Sequence, residues 1–193
     1  MKVSKAQAAK NREGIVDAAA RLYREKGLDG VGLAEITREA GLTHGGLYRH
    51  FESRDALARE ACTRAFEWTI TPQEGLESPE AEGASAGGLR ALVHGYLSTF
   101  HRDHPGEGCP VAALAADVAR AGPEMSEVFA QGMERNFQRF MGELQGDDPA
   151  RRAQAIVALS SMVGALILAR ATAAGNPGLS EEILVTVRER LGG

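Results

Sequence analysis

Residues 33–50 read LAEITREAGLTHGGLYRH. Leu33, Ile36 and Ala40 recur at three- and four-residue spacing, which predicts a short helix that stops at Gly41. Gly41-Leu42-Thr43 then reads as a turn, and Thr43 caps a second short helix running from His44 to about His50. Two short helices joined by a glycine turn form the helix-turn-helix pattern, whose second helix enters the DNA major groove by its N-terminal end. The chemistry of the stretch agrees. From Ala40 to Phe51 there is no acidic residue, while His44, Tyr48, Arg49 and His50 offer hydrogen-bond donors. Gly45 and Gly46 each cost about 1 kcal/mol against alanine inside a helix. A loop is one reading of that cost; the other is that absent side chains let the backbone approach DNA closely. Leu47 and Phe51 favour the second, because their i,i+4 spacing holds a helix against a core.

Outward from this stretch, no proline occurs before Pro72, and the apolar residues keep helical periods with no strand-like alternation. The chain is read as all-α with about nine helices. The first runs from about Gln7 to Lys26, with Gly27 ending it; the fourth starts after Ser53 and continues to about Ile70. Later helical segments are Leu89–Arg102, Val111–Arg120, Met125–Leu144, Ala150–Ala174 and Leu179–Leu191. Between Thr71 and Gly88 the composition turns to Pro, Glu, Gly, Ser and Ala, which reads as a mobile connection. The expected division is residues 1–55 as a helix-turn-helix domain and 56–193 as a second helical domain, with the fourth helix as connector.

Length and composition set bounds on function. With 193 residues, 44% hydrophobic and 25% charged, the chain holds one medium domain or a small domain fused to a larger one, and a large multidomain enzyme is excluded. The net charge of -4 conceals an asymmetry: residues 1–60 carry 11 basic against 9 acidic side chains, and the remainder 11 against 17. All four lysines, Lys2, Lys5, Lys10 and Lys26, lie near the N-terminus, which points to a polyanion partner there. Two cysteines are too few for a disulfide framework, and no signal-like or membrane-spanning run is recognised, so a cytoplasmic protein without membrane partner is expected. No HExxH, phosphate loop, nucleophile motif or clear carboxylate pair argues for an enzyme or a cofactor.

Residues from about Asn11 to Glu60 resemble the DNA-binding domain of the TetR family of transcriptional regulators. The matching elements are Ala18-Ala19-Ala20-Arg21-Leu22-Tyr23, Glu25-Lys26-Gly27, Glu35-Ile36, Ala40-Gly41-Leu42-Thr43, Gly46-Leu47-Tyr48, His50-Phe51 and Ser53-Arg54-Asp55-Ala56-Leu57. The resemblance implies that His44, Gly45 and Gly46 lie over base edges with Arg49 nearby. It implies backbone contacts from Tyr48 and His50, a cap and phosphate bond from Thr43, and a phosphate contact from Arg54. Val31 and Gly32 stand where the family commonly has hydroxyl side chains at the start of the second helix, so that phosphate bond is missing. The basic tail of Lys2, Lys5, Lys10 and Arg12 is either a replacement for it or simply solvated.

The same resemblance implies a homodimer that binds a double-stranded DNA operator and answers to a small-molecule effector in its C-terminal domain. Phe66, Trp68, Phe100, Phe129, Met133, Phe137 and Met162 lie on helices that line the family's cavity, and most of them also suit an ordinary core. Ile156, Ser160, Val163, Gly164 and Ile167 on one apolar helix, with Leu184, Val187 and Leu191 on the last, are assigned to a four-helix dimer seam. His101, Asp103, His104 and Cys109 cluster within nine residues, although His-x2-His-x4-Cys is no known structural zinc spacing, and no metal is assigned. His101 and Cys109 are carried as effector-site residues. Cys109 before Pro110 also admits an alternative function, a thiol-based redox or electrophile sensor, beside that of a helical small-molecule binding protein.

Overall fold

The computed structural model describes residues 4–42, 44–68 and 89–192. The cap assigned to Thr43, Lys2 of the basic tail and the connection at 71–88 lie outside the described residues. Among those described there are nine α-helices and no strand: α1 (Lys5–Lys26), α2 (Leu33–Glu39), α3 (Arg54–Trp68), α4 (Leu89–Tyr96), α5 (Thr99–Asp103), α6 (Pro110–Val118), α7 (Pro123–Gly142), α8 (Asp148–Thr172) and α9 (Pro177–Gly192). Short 3-10 helices occupy His44–Arg49 and Pro105–Glu107. The helix expected over Leu89–Arg102 is broken in two. Ser98 causes the break: its hydroxyl donates to the Gly95 carbonyl at 2.9 Å and accepts from the His101 amide at 3.2 Å, a local bonding that competes with the helix ladder.

The helices fall into two compact units. One draws on Met1–Thr69 and Pro105–Ala130, the other on Ile70–His104 and Gln131–Gly193. Compactness therefore places α3, α6 and the start of α7 with the N-terminal helices, a grouping different from the functional division expected at residue 55.

In the first unit, Ile15, Ala19, Leu22 and Tyr23 of α1 are buried together with Ile36, Leu47, Phe51 and Leu57, as their periodicities require. Gly27 ends α1 at φ 78°, and its N–H donates to the Tyr23 carbonyl at 2.8 Å. A Cβ at Gly27 would stand 2.7 Å from the Asp117 carboxylate, which accepts the next amide, that of Leu28, at 2.9 Å. One turn earlier, Arg24 is only 3% exposed. Its Nη1 donates to the Gly108 carbonyl at 2.8 Å and its Nε to the Ala20 carbonyl at 2.9 Å. Burial lowers its pKa to about 10, so the guanidinium remains charged at neutral pH and depends on those acceptors. Gly106 lets the 105–107 turn approach: a Cβ there would meet the Arg21 Cγ at 2.9 Å. Arg24 and Asp117 thus fasten α6 and the turn before it to the two ends of the α1–α2 corner.

Arg54 joins the same corner from α3. Its Nη2 donates to the Leu28 carbonyl at 2.5 Å, with the Val31 carbonyl at 3.5 Å, and Nη1 lies 3.6 Å from the Asp29 carboxylate. Nearby, burial pushes the Tyr23 phenol above its ordinary pKa, and the Arg54 charge opposes that shift.

In the second unit, α8 lies against α9, α4 against α9 and α5 against α8. The inner stripe of α8 is Ala155, Ala158, Leu159, Met162, Ala165, Leu166 and Ala169, whose small members allow a close helix approach. Among the described residues, α8 is the helix long and apolar enough to cross a membrane by length and composition. Its buried stripe identifies it as a core helix. Ser180 at the start of α9 donates to the Ala169 carbonyl at 2.7 Å and accepts from Arg102 at 3.1 Å. Arg170 in turn donates to the carbonyls of His101 at 2.6 Å and Arg102 at 3.1 Å, closing the end of α5.

Two substitutions test the first unit. Arg24→Met keeps the apolar stem and removes the bond to Gly108, so unfolding in urea should show a loss of about 1.5–3 kcal/mol. Arg54→Ala should cost less, about 1 kcal/mol, because its guanidinium is partly solvated.

Candidate nucleic-acid interface

The segment from Leu33 to Phe51 has its backbone fixed by local rules. Gly32 is the N-cap of α2, its carbonyl accepting the amides of Glu35 and Ile36, with no side-chain cap. Gly41 turns the chain at φ 69°, with the Leu42 amide donating to the Thr37 carbonyl at 2.8 Å. The second helix of the motif, expected as α-helix over His44 to His50, is a 3-10 helix over His44–Arg49. The two adjacent glycines supply the reason: they have the lowest α-helical propensity apart from proline, and six residues give too few i→i+4 bonds to offset it. Leu47 and Phe51 hold it nonetheless, both buried, with the Phe51 amide donating to the Leu47 carbonyl at 3.1 Å. Arg12 of α1 lies over the Phe51 ring at 4.7 Å and donates to Glu60 at 2.5 Å.

Anchoring Leu47 inward turns its neighbours outward. Tyr48 is 62% exposed and Arg49 is exposed, while His50 is half-buried. His44, Gly45 and Gly46 open this 3-10 helix; the side chains of His44 and Trp68 lie outside the described residues. Lys5 and Lys10 are exposed on α1, which begins at Lys5 with Ser4 as its cap, so this part of the basic tail is helical. Arg54, expected on a phosphate, spends its Nη2 on the loop carbonyls of Leu28 and Val31. Sequence reasoning missed that structural task, because backbone acceptors leave no trace in residue identity.

The residues assigned to an effector site divide. Phe66 and Phe129 meet edge to face at 5.3 Å in the first unit, where Cys109 is also buried. Phe100, His101, Met133, Phe137 and Met162 belong to the second. There Phe100 stacks on His104 at 4.1 Å, Phe137 lies 5.6 Å beneath Arg152, and Met162 is fully buried. The His101 and His104 Nδ1 atoms pair with the carbonyls of Tyr96 and Phe100, and Asp103 pairs with Arg102. Among the described residues, no group of three metal-binding side chains converges. A cleft in the first unit is lined by Asp29, Arg54, Asp55, Arg59, Asp117, Arg120 and Glu124, a charged wall quite unlike the aromatic one expected for an effector.

The outer face of α8 is apolar. Ile156, Ser160 and Ile167 are exposed, and Val163 and Gly164 are half-buried. Val157, 63% exposed, and Leu168 extend the stripe. Val187 and Leu191 are half-buried. Leu184 is a correction to the seam: at 2% exposed it belongs to the protomer's own core, because α8 and α9 pack on each other.

The family "Bacterial regulatory proteins, tetR family" matches residues 15–61, which include the whole recognition segment. The HTH-type transcriptional regulator LmrA of Bacillus subtilis is 29% identical over 84% of this chain and 87% of its own length. An uncharacterized HTH-type transcriptional regulator of Mycobacterium tuberculosis is 31% identical over 82% of this chain and 84% of that protein. In fold, the chain resembles a TetR transcriptional regulator from Chloroflexus aurantiacus, with a TM-score of 0.71, 22% identity and coverage of 97% and 94% of the two chains. A helix-turn-helix held by Leu47 and Phe51, and relatives matched over most of their length, make this chain a member of the TetR family of DNA-binding transcriptional regulators.

Proposed function

We propose that the chain is a homodimeric repressor that binds a palindromic operator through residues 43–50 and leaves it when a small molecule binds. The observation that carries this reading is the acid-free surface from Ala40 to Phe51, on which Tyr48 and Arg49 face solvent while Leu47 and Phe51 are buried. In it, residues 1–55 carry the DNA contacts and residues 56–193 the effector and dimer functions. His44, Gly45 and Gly46 meet base edges, Arg49 stands beside them, and Thr43, Tyr48 and His50 hold the sugar-phosphate backbone. Arg54 offers its charge to a phosphate while keeping its bond to Leu28. Effector contacts come from the aromatic and Met residues of the C-terminal helices.

A two-fold operator requires a two-fold protein. The outer stripe of α8 supports a dimer through that face, since Ile156, Val157, Ile167 and Leu168 leave apolar surface in water on the single chain. Within the first unit, α6 and the turn before it are tied to the DNA-binding helices where Gly108 is bonded to Arg24 and Asp117 to Leu28.

Selection of the purified protein against random duplex DNA should recover an inverted repeat, and recovery of no sequence would contradict the reading. Affinity for the selected duplex should fall with salt, with a log–log slope of about -0.9 per phosphate neutralised. His44→Ala should change which base is preferred within each half-site, by about 1–3 kcal/mol of discrimination. Val157→Asp should shift the sedimentation coefficient to that of a monomer and weaken operator binding at least tenfold, whereas an unchanged dimer would move the interface off α8.

A further inference from the structure

The described chain has four buried polar or charged side chains, Arg24, Thr37, Asn136 and Ser180. Three make hydrogen bonds that account for their place: Arg24 to Ala20 and Gly108, Thr37 to Leu33 and Ala34, Ser180 to Ala169. Asn136 differs. It is 4% exposed, and its Oδ1 is buried with no hydrogen-bond partner. An amide oxygen accepts and cannot donate, and buried at this position it meets no donor from the chain. The fold alone therefore gives no reason for asparagine here.

Its place on α7 does. Asn136 follows Met133 by three residues and precedes Phe140 by four, so the three share one helix face, half-buried at Met133 and buried at Phe140. The charges of this part of α7 lie elsewhere: Glu134 is taken by Arg152 and Gln138, whose hydrogen bonds hold its carboxyl down at about 2. A buried acceptor without a partner, on a helix face shared with a thioether and an aromatic ring, has the residue types usual in a small-molecule site, apolar side chains with one polar group among them.

We propose that Asn136 is the polar anchor of the effector site, its Oδ1 accepting a hydrogen bond from the hydroxyl or N–H of a small, otherwise apolar aromatic molecule. This rests on the reading of the chain as an effector-controlled regulator. A ligand that donates satisfies the buried oxygen; one with the donor methylated leaves it unpaired, and the site discriminates between them.

The test uses phenol, naphthol and indole, each beside its O- or N-methyl derivative, titrated calorimetrically into the full-length protein. In at least one pair the donor should bind about tenfold tighter or more, and Asn136→Leu, which keeps the branched shape, should remove that preference. Asn136→Ala should remove it too, without added bulk. The proposal is overturned if no pair shows the preference, if the preference survives both substitutions, or if neither variant folds, which would make the amide structural. Duplex selection with the unsubstituted protein separates the two readings. Failure to recover any DNA sequence tells against the regulator, whereas donor preference in the titrations judges Asn136 alone.

Discussion

A guanidinium removed from water must find its acceptors within the chain, and in this protein Arg24 finds one in the carbonyl of Gly108, 84 residues away. That constraint organises the first unit. Because the acceptor belongs to the turn leading into α6, the N-terminal helices and α6 form one compact body together with the start of α7. The Leu28 amide and the Asp117 carboxylate repeat the attachment at the other end of the corner. Between the two bonds lies Gly27, whose positive φ and lack of a side chain admit Asp117.

The recognition segment follows a different logic, one of anchoring rather than propensity. Its six-residue 3-10 helix contains two glycines and is too short to be stable alone. Leu47 and Phe51 are buried, and their burial fixes which way Tyr48 and Arg49 face. Weak local preference is compatible with the proposed role, in which the lack of side chains at Gly45 and Gly46 lets the backbone approach a nucleic acid closely.

The helix-turn-helix was legible because its signals are local. Apolar spacing, the Gly41 turn and the absence of acids lie within some twenty residues, and the structure keeps all three. Helix existence was legible throughout, and helix limits mostly so. The break at Ser98 was missed because serine competes for backbone bonds without altering the apolar period on either side. The grouping of α6 with α1 was beyond reading, since Arg24 bonds a carbonyl that every residue type possesses. Leu184 was assigned to the dimer seam from its apolar place on α9, which cannot say whether such a residue meets its own protomer or a partner; it is buried within the protomer, where α9 packs on α8 and α4. Asn136 went unnoticed for a related reason: one asparagine on a helix reads as a solvent residue until its burial is known.

Tied by Arg24 and Asp117, α6 and the DNA-binding helices should behave as one cooperative body. Native-state hydrogen exchange in low denaturant measures this directly. The amides of α6 and α1, with the Leu28 amide between them, should open with one common free energy and one common denaturant dependence. Exchange of the α6 amides at a distinctly lower free energy, while α1 stays protected, would show that α6 comes away alone and would contradict the account.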